Sequence, residues 1–312
     1  MTNDIKLLHA SWLDDREKLK ELTYWLRVLN RPNGWHYDLD HIWILNELEN
    51  AGIRPGSTII DAGAGQGIMQ YLLAARGYNV ISLDFSPRTP PARSRGIFDI
   101  RGEGDAEIGY QHPYMKFINY GTGQPGSLVK RLSFKKLKKI PELPGRAIRR
   151  LVSYGWYFRE RFMGNHSNYG KISYVRAPFH DVPLQTEIAD AVISVSAIEH
   201  ADIGLFDKNI SELTRLLKSG APLLLTTSAT TSTGNTYDEK VSGWCFSRSA
   251  IAAFFPNSEI EFDAEGCARS LLNSSTFISR IDPYYYLDEG SFCYRKHLDA
   301  FPYLPIAVRI VK

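Results

Sequence analysis

Ser57-Thr58-Ile59-Ile60-Asp61-Ala62-Gly63-Ala64-Gly65-Gln66-Gly67 is the stretch that decides the fold of this 312-residue chain. Its β-branched start is typical of a short buried strand, and its alternating glycines are typical of a tight turn that a ligand can approach closely. A helical pattern at 68–76 and a second apolar strand at 79–83 follow. This β-α-β order predicts a parallel sheet.

The glycine loop at 63–67 lacks two common nucleotide-binding motifs. A dinucleotide fingerprint needs a third glycine where Ile68 stands, and a P-loop needs a lysine that Gln66-Gly67-Ile68 does not provide. The carboxylate of Asp61 would repel a pyrophosphate, whereas it suits a ligand that carries positive charge and no phosphate. The helix that follows offers free N–H groups at its N-terminus.

The spacing Asp61-x-Gly63-x-Gly65-x-Gly67 resembles motif I of class I S-adenosylmethionine (SAM)-dependent methyltransferases. Later landmarks are similar to that family in the same order: Asp84 after the second strand, Ile198-Glu199-His200 after a strand at 191–195, and the turn at 216–220 before another strand. The resemblance covers residues 57–85 and 171–228 well and 240–312 loosely. It implies SAM as the cofactor and S-adenosylhomocysteine as its product.

The resemblance also implies which residues hold the cofactor. Asp84 matches the acid that accepts both ribose hydroxyls, because one carboxylate can accept hydrogen bonds from two neighbouring hydroxyls. The family's adenine-binding aspartate falls on Pro178, so either Asp181 takes over this role or Phe179 and backbone groups do. The cofactor-binding residues expected in this way are Asp61, Gly63, Ala64, Gly65, Gly67, Asp84, Phe85, Phe179, Asp181 and Ser196.

Glu199 and His200 are the predicted catalytic residues, because in the resembled family this turn lies beside the methyl group. His200 would take a proton from an acceptor hydroxyl as the methyl group is transferred. The alternative is a pair that only packs or caps the start of a helix. Relatives that bind a metal here carry an additional acid where this chain has Ser196, so we expect no metal.

The overall patterning predicts an α/β fold with a doubly wound, seven-stranded, Rossmann-like methyltransferase sheet. Residues 1–50 have helical spacing and would form an N-terminal helical cap, with the methyltransferase domain at 51–312. Residues 85–170 break the strand–helix rhythm and predict a large insertion after strand 2, which would supply an acceptor pocket, a lid or a surface contact.

A basic tract lies within this predicted insertion. Residues 128–150 hold nine Lys or Arg and one Glu, although the whole chain carries only +3. A solvated loop, an anionic membrane surface and nucleic acid are the three interpretations, and the absence of an RNA-binding motif argues against the last. Unpaired cysteines and the lack of a signal sequence predict a cytoplasmic protein, with peripheral contact at the inner membrane surface as a further possibility.

The methyl acceptor is indicated only by weaker features. The stretch Gly34-Trp35-His36-Tyr37-Asp38-Leu39-Asp40 resembles uncharacterised bacterial methyltransferases of surface-glycan or lipid-linked sugar synthesis. Trp35, His36 and Tyr37 are therefore expected contacts, and Tyr284-Tyr285-Tyr286 could form an aromatic wall. We expect O-methylation of a sugar, glycan or lipid-linked acceptor. A small secondary metabolite as acceptor, a propylamine transferase or oxidoreductase on the same fold, and a non-catalytic scaffold remain alternatives, and the oligomeric state is not indicated.

Overall fold

The computed structural model describes residues 3–31, 33–102, 143–239, 242–280, 301 and 303–312. Its helices are α1 (Arg16–Leu29), α2 (Tyr37–Asn50), α3 (Met69–Ala75), α4 (Ala92–Arg95), α5 (Leu143–Met163), α6 (Phe206–Leu216), α7 (Arg248–Phe254), α8 (Ala264–Asn273) and α9 (Ser275–Arg280). Its strands are β1 (Asp4–Leu7), β2 (Thr58–Ala62), β3 (Asn79–Asp84), β4 (Ile100–Arg101), β5 (Ile172–Arg176), β6 (Ala191–Val195), β7 (Pro222–Ala229), β8 (Thr236–Asp238), β9 (Gly243–Cys245), β10 (Glu259–Glu261) and β11 (Leu304–Val311).

The described strands build one large mixed sheet in the order β10-β1-β11-β7-β6-β2-β3-β5-β4, beside a β8–β9 hairpin. Strands β2, β3, β5, β6 and β7 pair in parallel, and β11 runs antiparallel to β7. The predicted α/β, Rossmann-like architecture is confirmed. The described sheet nevertheless has nine strands where the sequence predicted seven.

Strand β1 is one of the two additional strands, and it corrects the expectation that residues 1–50 are helical throughout. It pairs antiparallel with β11 and parallel with β10, so it separates the last two predicted strands. Ile5 and Leu7 are buried, whereas Asp4 and Lys6 lie partly exposed. This alternation has the period of a strand, and the helical spacing begins only further along the chain.

Strand β4 is the other additional strand, and it lies within the predicted insertion. It pairs in parallel with β5 and forms the edge of the sheet. Helix α5 also belongs to the segment between β3 and β5. The basic residues at 130–139 lie outside the described part of the chain, so their structural role stays a prediction.

Helices α1 and α2 are in the positions that the sequence predicted. The carboxylate of Asp15 accepts a hydrogen bond from the backbone N–H of Lys18, which caps α1. Helix α2 is buried on nearly all sides and packs against β6 and β7. Helix α2 is therefore part of the core, and its first turn lies beside the end of β6. The division of the chain at residue 51 stays a prediction.

Parallel strands end at the same edge of a sheet, so the segments after β2, β3, β6 and β7 meet at one carboxyl edge. These segments contain most of the residues that the sequence singled out. Within the described ranges, no helix is both long and apolar enough to cross a membrane.

Candidate active site

The glycine loop after β2 is held by backbone hydrogen bonds and by close packing. Gly63 and Gly65 have positive φ angles of 75° and 48°. The N–H groups of Gly63 and Ala64 donate to the carbonyl of Leu83, at 2.8 and 3.1 Å. A Cβ atom at Gly63 would lie 2.3 Å from the Cβ of Ala197, in the turn after β6. Glycine is therefore required there, and the loop is in contact with the end of β6.

Asp84 ends β3 with its carboxylate turned toward the glycine loop. One oxygen accepts the N–H of Gly65 at 2.8 Å, and the other accepts the N–H of Ser86 at 2.8 Å. Each carboxylate oxygen can accept two hydrogen bonds, so each retains capacity for a ligand hydroxyl. This placement fits the cradle that a ribose would need, while the ribose role itself stays a prediction.

Asp61 and Arg88 are two buried charged residues beside the glycine loop. Burial raises the pKa of Asp61 to about 7, while the positive charge of Arg88 opposes this rise and Asp84 adds to it. The guanidinium of Arg88 is buried and donates to the carbonyl and hydroxyl oxygens of Ser82, at 2.6 and 2.7 Å. A cationic ligand beside Asp61 would favour its ionised form. The sequence pattern did not single out Arg88.

The segment after β5 contains two residues that the sequence predicted to contact adenine, and one of them lies at the glycine loop. The ring of Phe179 lies 2.9 Å from the point that a Cβ of Gly63 would occupy, whereas Asp181 is exposed on a turn. Phe85 is half-buried, and its carbonyl accepts from Arg176 Nε at 3.1 Å. Phe179 is thus brought to the loop, and no contact of the Asp181 side chain with it is seen. The roles of all three side chains in adenine binding stay predictions.

Ser196 connects the end of β6 to helix α2. Its φ angle is 44°, a left-handed conformation that is uncommon for a residue other than glycine. Its N–H donates to the carbonyl of Thr226 at 3.0 Å, and its hydroxyl donates to Asp40 Oδ2 at 3.3 Å. Backbone strain of this kind is concentrated at functional sites. The observed partner of the Ser196 side chain is a carboxylate of α2, and its predicted cofactor contact stays a prediction.

Glu199 and His200, the predicted catalytic pair, face different environments. Glu199 is buried and accepts the hydroxyl of Thr227 at 3.0 Å. Burial raises the pKa of Glu199 above its usual value, and the charge of His200 opposes the rise. His200 is exposed, with Nδ1 3.0 Å from the carbonyl oxygen of Ser242. Because a carbonyl only accepts, Nδ1 carries the proton and Nε2 is the basic nitrogen.

His36, just before α2, and Asp40, in its first turn, form a buried pair that motif reasoning missed. They are 2% and 0% exposed, and Nδ1 of His36 lies 2.8 Å from Asp40 Oδ2 without hydrogen-bond geometry. Asp40 Oδ1 also lacks a hydrogen-bond partner among the described residues. His36 interacts electrostatically with Glu199. Since buried polar atoms are nearly always paired, this cluster marks a candidate functional site.

Aromatic side chains surround His36. Trp35 Nε1 donates to the hydroxyl of Tyr303 at 3.0 Å. The ring centroid of His36 lies 4.8 Å from that of Trp35 and 5.6 Å from that of Tyr303. The predicted aromatic wall at 284–286 lies outside the described residues. A different set of rings is thus found beside the buried pair, contributed by residues that are distant in the sequence.

The described residues contain no group of three or more His, Cys, Asp or Glu side chains that could hold a metal ion. Cys245 and Cys267 are buried free thiols, and burial raises the pKa of both. Cys293 lies outside the described ranges.

Comparisons with known proteins agree with the landmarks at the carboxyl edge. Residues 157–225, which run from α5 into β7, match the family described as "Methyltransferase domain". No curated protein matches the chain.

Three of the solved structures that resemble the chain are described as methyltransferases, and all three are distant in sequence. A protein of Methanococcus maripaludis assigned as SAM-dependent is 15% identical, with a TM-score of 0.31 over 67% of this chain and 60% of its own. The phosphoethanolamine N-methyltransferase 2 of Haemonchus contortus, bound to phosphomonomethylethanolamine and S-adenosylhomocysteine, is 14% identical, with a TM-score of 0.46 over 96% of this chain and 59% of its own. The 1,6-didemethyltoxoflavin-N1-methyltransferase of Burkholderia thailandensis is 11% identical, with a TM-score of 0.39 over 86% and 76%.

The chain thus spans about 60% of the length of two of these proteins, and the three structural similarities are too low to carry an argument about its acceptor. The family match covers residues 157–225, and the strand order and the glycine loop agree with the class I, Rossmann-like SAM-dependent methyltransferase fold that the sequence predicted.

Proposed function

We propose that this chain is a SAM-dependent methyltransferase that acts on a hydroxyl group of a sugar, glycan or lipid-linked acceptor. The observation that carries the proposal is the buried His36–Asp40 pair beside Glu199 at the carboxyl edge. Ser196 donates to Asp40, and the next residue, Ala197, is in contact with the glycine loop. Asp40, the neighbour of His36, is thus linked through Ser196 and Ala197 to the loop that we propose holds the cofactor.

The cofactor half of the proposal uses the residues after β2 and β3. Bound SAM supplies a methyl group on a positively charged sulfur. The acceptor oxygen would attack the methyl carbon in line and displace that sulfur. Asp84 would accept the ribose hydroxyls while the N–H groups of Gly65 and Ser86 keep its carboxylate in place. Asp61 would favour a ligand of positive charge, and Phe179 would line the adenine side of the loop.

The acceptor half of the proposal assigns the proton to His36. A neutral imidazole is a suitable base near neutral pH, and a carboxylate at its Nδ1 side stabilises the cation that forms. The proton of the acceptor hydroxyl would pass to Nε2 of His36 as the oxygen takes the methyl group. His200 is the second candidate for this role, because its side chain is exposed and its Nδ1 lies at hydrogen-bond distance from the carbonyl oxygen of Ser242.

The surroundings of the proposed base support this class of acceptor. Glu199 and Asp40 can accept further hydrogen bonds, which suits an acceptor with several hydroxyl groups. Trp35 and Tyr303 are buried beside His36 and give this part of the edge an aromatic lining. A small hydroxylated metabolite would meet the same base and the same rings, and it is the alternative acceptor. Location in the cytoplasm at the inner membrane surface stays a prediction.

The experiment that tests the proposal begins with calorimetric titration of the protein with SAM, S-adenosylhomocysteine and, as a control, NAD. We expect micromolar binding of the first two and no binding of NAD. The second stage is transfer of a radiolabelled methyl group from SAM to lipid-linked sugars, free glycans and small phenols. Methylation of phenols alone would overturn the glycan proposal, and SAM binding without turnover on any acceptor would favour a scaffold.

A further inference from the structure

Helix α5 carries a ridge of exposed aromatic side chains. Tyr154, Phe158 and Phe162 are spaced four residues apart and are 47%, 49% and 75% exposed. Their rings stack along the helix, with centroids 6.1 Å apart in both neighbouring pairs. Val152 and Met163, at 55% and 82% exposure, are further exposed apolar residues of the same helix. Single exposed apolar residues are ordinary, but a contiguous patch of this kind marks an interaction surface.

The opposite face of α5 is fixed to the protein. Tyr169 donates to the buried carboxylate of Glu160 at 2.6 Å, and Tyr24 of α1 donates to it as well. Trp156 packs edge-on against Tyr24, with ring centroids 5.6 Å apart. The backbone and hydroxyl oxygens of Ser153 accept from Arg93, each at 3.1 Å. The inner face is thus occupied, and rotating the helix would break these contacts, so the aromatic ridge stays directed outward.

The charge of α5 indicates what the ridge contacts. The helix holds five arginines and one acid, and that acid, Glu160, lies on the inner face. Arg159 and Arg161 are exposed on either side of the aromatic ridge. Arg161 donates to the carbonyl of Gly96, and its guanidinium lies 6.0 Å from the ring centroid of Phe162. Aromatic side chains flanked by long basic ones are the arrangement that binds the interface of an anionic bilayer.

We infer that the outer face of α5, defined by Tyr154, Phe158 and Phe162, is a docking surface for a membrane that contains anionic lipids. The rings would lie at the level of the acyl boundary while Arg159 and Arg161 contact the headgroups. A second copy of the chain fits less well, because docking two α5 helices would bring their arginines together. The inference goes beyond the proposed function, since it concerns where the enzyme works and does not depend on the acceptor.

The test is sedimentation of the full chain with vesicles of phosphatidylglycerol and phosphatidylcholine, compared with vesicles of phosphatidylcholine alone. We expect binding to the anionic vesicles and at least tenfold weaker partitioning to the neutral ones. The double variant Phe158→Ser with Phe162→Ser should lose at least tenfold of the partitioning to the anionic vesicles. Tyr237→Ser is the matched control, because this tyrosine is 50% exposed on β8 and should leave partitioning unchanged.

Equal partitioning of the double variant and the wild type would overturn the inference, as would no binding of the wild type to anionic vesicles. A concentration-dependent dimer in analytical ultracentrifugation that the double variant loses would assign the ridge to a second copy instead. SAM titration of every variant shows whether it is folded. It also separates the two proposals, because a wild type that binds vesicles but not SAM would contradict only the cofactor site.

Discussion

The two halves of the carboxyl edge, which we propose hold the cofactor and the acceptor, differ in how their polar groups are satisfied. In the cofactor half, at 61–88, the carboxylate of Asp84 accepts two backbone N–H groups and the guanidinium of Arg88 donates to Ser82. In the acceptor half, at 35–40 and 196–200, Asp40 has an oxygen with no hydrogen-bond partner in the described chain. The contact between His36 and Asp40 also lacks hydrogen-bond geometry.

This difference indicates that the two halves are prepared to different degrees. The two N–H groups hold the carboxylate of Asp84 in one position and leave each oxygen capacity for a ligand hydroxyl, so the proposed cofactor half is preformed. A buried polar atom without a partner costs about 1–3 kcal/mol, and such a cost is typically found at functional sites. The acceptor half therefore retains hydrogen-bonding capacity that an acceptor hydroxyl can use.

The largest expected effect is on turnover in the acceptor half. His36→Ala should lower kcat by about 100- to 1000-fold on the acceptor found by screening, because the proton would have no base to accept it. SAM affinity, measured by calorimetry, should stay within about twofold. His200→Ala is the matched variant, since this histidine is exposed. If His200→Ala lost more turnover than His36→Ala, the base would be His200, as the sequence predicted.

The next largest effect is on affinity in the cofactor half. Asp84→Ala should weaken SAM binding on the order of 100-fold, because two ribose hydroxyls would lose a charged acceptor. Calorimetric titration measures the change, and thermal unfolding checks that the loop still folds. Asp181→Ala, at an exposed turn, should change SAM affinity by less than about threefold. A stronger effect at Asp181 would return the adenine contact to that residue.

Gly63→Ala tests the contact between the two halves. The new Cβ would overlap the Cβ of Ala197 and would also strain a φ angle of 75°, so we expect a loss of about 2–3 kcal/mol in the free energy of unfolding. Gly220→Ala is the control, because its φ is 76° but nothing lies within 4 Å of the new Cβ. Chemical denaturation of both variants should show the larger loss of unfolding free energy for Gly63→Ala. Equal losses would mean that Gly63 and Ala197 are not in close contact.

The smallest expected effect is the pH dependence of SAM binding. With its pKa at about 7, Asp61 is mostly protonated at pH 6 and mostly ionised at pH 8, so a cationic ligand should bind about tenfold more tightly at pH 8. Asp61→Asn should remove this dependence. In the ligand-free protein the free energy of unfolding changes with pH in the opposite direction to the ligand affinity. The raised pKa of Asp61 stabilises the fold at a pH below the ordinary carboxyl pKa, and this stability is lost as the pH rises through about 7.

The cofactor half could be predicted from the sequence because its elements are local. Asp61, the glycines and Asp84 lie within one β-α-β unit, where spacing alone specifies the turn and the strand ends. Arg88 was missed although it lies four residues after Asp84, since no pattern requires a buried arginine there. Phe179 and Asp181 were left as alternatives because the exposure of a loop side chain depends on tertiary packing.

The acceptor half could not be predicted in the same way. Asp40 and Ser196 are 156 positions apart, and no spacing rule joins a helix turn to a strand end over that distance. The sequence predicted His36 as a contact of the acceptor, but it did not predict that His36 pairs with Asp40. In α5 the sequence analysis interpreted the basic residues. It did not use the i, i+4 spacing of Tyr154, Phe158 and Phe162, which was the local pattern that indicates an aromatic face.

The position of β1 has a consequence for the synthesis of the protein. Val311 donates to the side chain of Asn3 at 3.0 Å across 308 positions of the chain, and β1 lies between β10 and β11. On the ribosome, residues 4–7 emerge long before their partner strands β10 and β11, which lie more than 250 positions later. Ile5 and Leu7 therefore stay without their native neighbours until both of these strands have been translated. We expect the closing of this side of the sheet to be a late, slow step of folding, during which an apolar strand is accessible to chaperones.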